Sequence, residues 1–256
     1  MEKILQKAWK NYTSNIFSFI GGFLLSLLIP LVVTGIVAIV SFSPIILTLF
    51  SSGFSGVVEL VKSNMLTHFI IPLVLTAVVL ILISAPFYFG FVYMVTTASK
   101  RKSNKLYLLF EGVKKFWKRA IVQEFIYLGI IGLVSLPFVK IMFDLLSAVA
   151  TGNFLSVMFG AGALFVAWFV IILLIAFFLI YWVPVIVIYD KGVIESARIS
   201  LSKVRKNLLE TFVVALILLL ISFTVVALEN IIPLVPSIVI LPLSTCILVE
   251  ACKELK

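Results

Sequence analysis

Across 256 residues the chain carries eleven carboxylates, one histidine and two cysteines. A single histidine, His68, excludes paired-histidine metal sites and most nucleophilic triads. Cys246 and Cys252 are six residues apart and fall on different helix faces, so they form no disulfide framework and read as small buried apolar residues. No glycine-rich phosphate loop or Walker-type lysine occurs. The carboxylates that remain of interest are those at the edges of apolar runs, because a charge at mid-bilayer costs at least about 2.5–3.5 kcal/mol. Glu124, beside Gln123, lies one turn into such a run. Glu210 lies at similar depth in another, three residues after Asn207. Glu124, Glu210 and Asn207 are therefore candidates to line a vestibule. No ionisable residue occupies the middle third of any apolar run, which argues against a proton-coupled transporter or ion pump. The chemistry expected here is non-enzymatic, with no metal and no cofactor.

The elements that position these residues are long and greasy. The apolar fraction is 63% and only 12% of residues are charged, too little to coat a water-soluble core of this size. Lipid is the natural solvent, and about 20 helical residues cross its hydrocarbon layer. The runs are continuous rather than alternating, so the fold expected is all-α and not a barrel. Six spans are predicted: 16–42, 69–98, 120–146, 154–189, 208–228 and 233–249. The fourth exceeds the bilayer thickness and must tilt, kink or protrude. The segment 51–63 is read as a short interfacial helix outside.

The cations set the orientation. Of 20 Lys and Arg, 18 fall before the first span, between the second and third, between the fourth and fifth, and after the sixth; only Lys62 and Lys140 fall elsewhere. With an even number of spans these clusters share one side, and the positive-inside rule makes that side, with both termini, cytoplasmic. The chain is expected to be a single transmembrane domain in the cell membrane. Topology accounts for the positive charge, so no nucleic-acid partner is expected.

Each basic cluster that precedes a hairpin also shows helical spacing. Leu5, Trp9, Tyr12 and Ile16 form one stripe; Leu109, Val113, Phe116 and Ala120 form another; Ala197, Leu201, Val204 and Leu208 form a third. Shifts of 104 and 192 residues superpose them. An apolar stripe beside a basic face suits a helix lying in the membrane interface. This makes Lys114, Lys115, Lys118, Arg119, Lys203, Arg205 and Lys206 candidates to contact anionic headgroups. The unit is amphipathic helix, span, outer loop, span, and three copies are expected over 1–99, 100–190 and 191–256. A proline falls in the second span of each: Pro86, Pro184 and Pro242, candidate kinks.

Around residues 184–208 the order Pro184, Asp190, Gly192, Val193, Glu195, Ser200 and Asn207 resembles a family of prokaryotic six-span proteins. That family is related to the membrane region attached to some glycerophosphodiester phosphodiesterases. The opening Ala8-Trp9-Lys10 and Asn15-Ile16-Phe17 are similar to its first amphipathic helix. The resemblance covers about a third of the chain and implies a six-span fold; the soluble phosphodiesterase domain is absent, so no activity is implied. The function expected is that of a membrane component acting on lipids or on other membrane proteins, with partners being anionic lipids, further copies of itself or another membrane protein. The alternative is a channel or transporter with a pathway for a small solute or lipid, which prolines in matching spans would favour.

Overall fold

A computed structural model describes the backbone except at 102–104, 151–153, 231 and 256; side chains are not described at those positions or at 100–101, 139–150, 154–161 and 163. Lys140 therefore lies outside the described side chains. Among the described residues the structure is helical and contains no strand. The elements are α1 (Glu2–Ser14), α2 (Ile16–Ser41), α3 (Ser43–Ser63), a π-helical turn (Leu66–Ile70), α4 (Ile71–Arg101), α5 (Tyr107–Ala150), α6 (Phe154–Phe178), α7 (Trp182–Tyr189), α8 (Val193–Lys206), α9 (Leu208–Glu229) and α10 (Val235–Glu254). The molecule is a polytopic, all-α, multi-pass membrane protein.

Among the described residues seven helical stretches are long and apolar enough to cross a bilayer, one more than the six expected. The addition is α3, which runs from Ser43 rather than Ser51 and breaks inside at Gly53 (φ 67°, ψ −167°). Glycine reaches that conformation without a steric penalty. The break leaves two pieces of about ten residues, each about 15 Å long, against the roughly 30 Å of a hydrocarbon layer. The second piece carries Glu59 and Lys62. The overlong fourth span divides into α6 and α7, with the chain turning at Leu179–Tyr181 just before Pro184. Proline at the third position of α7 needs no backbone donor there, so a new helix starts where the old one could not continue. By contrast α4 and α10 continue through Pro86 and Pro242.

All three prolines are buried, and from each of them the chain runs toward one crowded end of the molecule. Here α4, α7 and α10 touch one another pairwise. Phe89, Phe91, Val92, Met94 and Val95 of α4 meet Val185 and Ile186 of α7 and Cys246, Val249 and Ala251 of α10 in one core, each at most 1% exposed. Every residue of α10 from Thr245 to Cys252 is buried, so its C-terminal half is enclosed on all sides. The same end holds α1, the start of α5, and α8, which carry the basic clusters; it is called the basic end below.

At the opposite end the helices part. Leu31, Ile36, Ile39 and Val40 of α2, Leu73 and Val74 of α4, Leu133 and Leu136 of α5, and Phe223 and Val226 of α9 are all exposed. No residue of α3 is buried. Contacts there are local: Trp168 Nε1 donates to Ser135 Oγ at 3.1 Å and its ring lies 5.3 Å from that of Phe138.

Candidate functional site

The three amphipathic helices pack onto protein, each by a narrow stripe. On α1 the buried residues are Ile4, Ala8 and Tyr12; the equivalent stretch of α5 buries Leu108, Leu109, Gly112, Phe116 and Ala120, and α8 buries Ser196, Ser200, Lys203 and Val204. The stripe expected from hydropathy is found in α5, where Leu109, Phe116 and Ala120 are buried, and only in part in α1 and α8, where Tyr12 and Val204 are buried. Trp9 is 56% exposed and Leu208 55% exposed, whereas small residues stand at the closest approach. A Cβ on Gly112 would lie 2.8 Å from the α-carbon of Gly90 in α4, so only glycine permits this crossing. Ser200 Oγ donates to the Phe178 carbonyl at 3.1 Å. Periodicity located the helices and the inner face of α5, but in α1 and α8 hydropathy gives Ala8, Ser196 and Ser200 too little weight to reveal which side faces inward.

Two of the three helices end at an asparagine. At Asn15 (φ −132°, ψ 19°) and Asn207 (φ −127°, ψ 50°) the backbone leaves helical geometry. Each side-chain amide donates to the carbonyl four residues back, Asn11 and Lys203, at 3.0 Å. The following spans restart from those residues, with Phe19 and Thr211 donating backbone bonds of 2.9 Å to Asn15 and Asn207. Asn207, expected beside a vestibule, thus serves as a helix joint. In α5 the corresponding residue is Arg119, and the amphipathic segment and span form one continuous helix.

The candidate headgroup contacts divide. Lys114, Lys118, Arg205 and Lys206 are exposed at the basic end. Lys115 and Arg119 both pair with Asp190, the former at 3.0 Å. Asp190 ends α7 in the left-handed conformation (φ 55°), which aspartate tolerates, and these two cations hold its carboxyl below the usual range. Lys203 is a correction. Its ammonium is buried and donates to the carbonyls of Cys252, at 3.0 Å, and Leu255, and sits 5.4 Å above the Tyr189 ring. It caps the end of α10 from inside and faces no lipid. A lysine on a basic helix reads as solvated until the carbonyls of a distant helix end arrive beside it.

Glu124 lines a cavity of about 300 Å³ with Tyr88, Gln123, Tyr127, Trp182 and Pro184. Glu210 is exposed and is not among those lining residues; the expected pair is not brought together. A larger cavity, about 650 Å³, opens between α1, the end of α4 and the end of α10. It is lined by Lys7, Lys10, Asn11, Ser14, Asn15, Ala98, Ser99, Glu250, Lys253 and Glu254. Lys7 pairs with Glu254, as does Lys3 at 3.4 Å. Ser99 Oγ donates to Glu250 at 2.6 Å, while Lys253 donates to Ser99 at 2.8 Å and to Glu250 at 2.9 Å. Sequence spacing could not find this site, because its residues come from positions about 90 and 150 apart. Neither cavity groups three metal-ligating side chains among the described residues.

These features define a helical membrane domain with polar cavities at its basic end. No protein family, curated protein or solved structure matches the chain.

Proposed function

We propose that the chain is a non-enzymatic component of the cell membrane, with six spans and both termini in the cytoplasm, that acts on lipids. One observation carries this reading: the helices converge on a side-chain-filled core at the basic end and separate at the other, exposing apolar faces that acyl chains would cover. Close-packed aromatic and β-branched side chains between α4, α7 and α10 leave no room for a hydrated path along their shared axis. The exposed lysines and arginines at that end suit the anionic surface of the cytoplasmic leaflet, at about 1 kcal/mol each. In sealed proteoliposomes the purified chain should retain co-purifying lipid and pass no entrapped small dye or ion; passage without any partner would sink the reading.

The threefold repeat belongs to this proposal. Positions 4, 108 and 196 are buried alike, as are 8, 112 and 200, then 12, 116 and 204, then 19, 123 and 211. Each amphipathic helix also touches the second span of the unit before it: α5 against α4, α8 against α7, and α1 against α10. The last contact joins the two ends of the chain into a ring, fastened by Tyr12 Oη donating to the Val239 carbonyl and by the Lys7–Glu254 pair. A pseudo-axis along the membrane normal accounts for this arrangement.

A transporter reading draws on the cavity at Glu124, since it lies beside the break at Pro184. Cysteine substituted at 124 should react with a membrane-impermeant reagent added from the cytoplasmic side, as cysteine at 118 does, if that cavity joins a pathway. Protection at 124 with reaction at 118 would remove it.

A further inference from the structure

The larger cavity is short of acceptors and has donors to spare. Both of its carboxylates are already engaged, Glu254 by Lys3 and Lys7 and Glu250 by Ser99 and Lys253. Asn15 spends its amide on the Asn11 carbonyl at 3.0 Å and on Asn11 Oδ1 at 3.3 Å. Left over is one face of α1. Among the described residues Lys10 makes no ion pair; Asn11 Nδ2 is buried without a hydrogen-bond partner; and Ser14 adds a hydroxyl one turn further along. Positions 7, 10, 11 and 14 follow the three-and-four spacing that puts side chains on one side of a helix. A buried amide without a partner is destabilising, and a ligand acceptor would relieve it.

Charge narrows the ligand. Three lysines face two glutamates across the cavity, leaving one positive charge unmatched. The complement is an anion rich in acceptors and free of donors at its charged end. A phosphate ester has that character, since its non-bridging oxygens accept several charge-assisted bonds at once. A volume of about 650 Å³ also accommodates substituents beyond the phosphate.

We infer that the cavity between α1, α4 and α10 binds a phosphate ester through Lys10, Asn11 and Ser14, with Lys7 and Lys253 contributing field while tied to their glutamates. This rests on the proposed membrane orientation only for the source of the ester: at the cytoplasmic surface it is a phospholipid headgroup, in solution a free phosphate compound. The Ser99–Glu250–Lys253 cluster acts as the rigid floor, holding the ends of α4 and α10 together beneath the ligand.

The test uses the purified full chain in detergent. Native mass spectrometry measures retention of phosphatidylglycerol against diacylglycerol, which lacks the phosphate, and calorimetry measures binding of inorganic phosphate without lipid. The unaltered chain should hold phosphatidylglycerol and release diacylglycerol. Lys10→Gln and Asn11→Leu should each weaken retention about tenfold, the loss of one charge-assisted or buried hydrogen bond. Lys10→Arg should keep it, and Lys62→Gln, at an exposed cation of α3 away from the basic end, should leave it unchanged. Binding of inorganic phosphate with the same sensitivity supports the site and assigns it to a soluble ester. Retention indifferent to Lys10→Gln and Asn11→Leu, equal retention of diacylglycerol, or no binding of either probe overturns the inference; helical circular dichroism and monodisperse elution of each variant show that it folds. Dye passage in proteoliposomes is read separately, so the proposed function can fail while this site stands, and the reverse.

Discussion

In α4 most residues from Ala85 to Ala98 are buried, while Leu73, Val74, Leu75 and Leu80 of the same helix are exposed. Helix α10 divides likewise, buried throughout from Thr245 to Cys252 but open at Leu234, Val235 and Val239 near its start. In α4 the exposed half is the greasier one, 71–83 being almost wholly aliphatic while 85–98 includes Pro86, Tyr88, Gly90, Tyr93, Thr96 and Thr97, so hydropathy does not choose the half that is buried. What separates them is the company at the basic end, where three amphipathic helices wrap the ends of three second spans, with no equivalent layer at the other among the described residues. Packing at the basic end is protein on protein, so residue volume and shape matter there. At the open end aliphatic side chains would meet acyl chains, which tolerate almost any apolar shape.

Substitutions matched across the two halves sharpen this contrast. The largest effect is expected at the α4–α5 crossing. A side chain at Gly90 would place its Cβ 2.5 Å from the Leu109 carbonyl oxygen, which is backbone and cannot turn aside. Gly90→Leu should therefore cost about 3 kcal/mol or more, read as a lower midpoint of thermal unfolding in detergent. Gly35→Leu in α2, where a Cβ would have nothing within 4 Å, should leave the midpoint unchanged. Equal effects would mean the open half is as tightly built as the closed one.

Phe116→Ala removes a ring that is fully buried between Phe89 and Tyr93 and is expected to cost about 3–5 kcal/mol. Its counterpart Phe50→Ala, at a residue 85% exposed, should stay within about 0.5 kcal/mol. Chemical denaturation of the two variants side by side measures the difference. Lys203→Met comes next: it keeps the stem but strips the Cys252 and Leu255 carbonyls of their donor, for a loss of about 1–3 kcal/mol. Were Lys203→Met as stable as the parent, the inward cap would be wrong and the residue would belong with the exposed cations.

The smallest effect is electrostatic. Because Lys115 and Arg119 depress the Asp190 carboxyl below its ordinary value of 3.8, this contribution is complete above that value. It disappears as the pH falls through the lower folded value. The groups are about half exposed, so Asp190→Asn should cost no more than about 1 kcal/mol at neutral pH. Thermal midpoints of the parent and variant should converge in strong acid; a gap that persisted there would mean the loss is not one of charge.

Much of the architecture was legible in the chain because its signals are local. Long apolar runs and clustered cations each lie within one stretch of chain, whereas the joint at Asn207 does not read as one, the residue being expected beside a vestibule. The spacing also located all three amphipathic helices. It found the inner face of α5 through Leu109, Phe116 and Ala120 but set those of α1 and α8 one position out, since Ala8 and Ser200 are small rather than greasy and their value lies in how closely another backbone can approach. The candidate site was less legible still. Glu124 was singled out by its depth and does line a cavity, yet Glu210, chosen by the same rule, is exposed. The richer cavity draws Lys10, Ser99 and Lys253 from three distant stretches.

By itself the sequence determined that this protein is helical and lives in lipid, because backbone polar groups in hydrocarbon must be satisfied within their own segment and long apolar runs allow only one way of doing so. It also determined where the charge concentrates. Tertiary structure alone decided which lysines face outward and which, like Lys203, are consumed inside. It decided too that the first helix closes against the last, and that donors without acceptors gather in the gap between them. Such outcomes depend on which helix ends meet, and that is set by side-chain volumes across the crossings, a property no single segment contains.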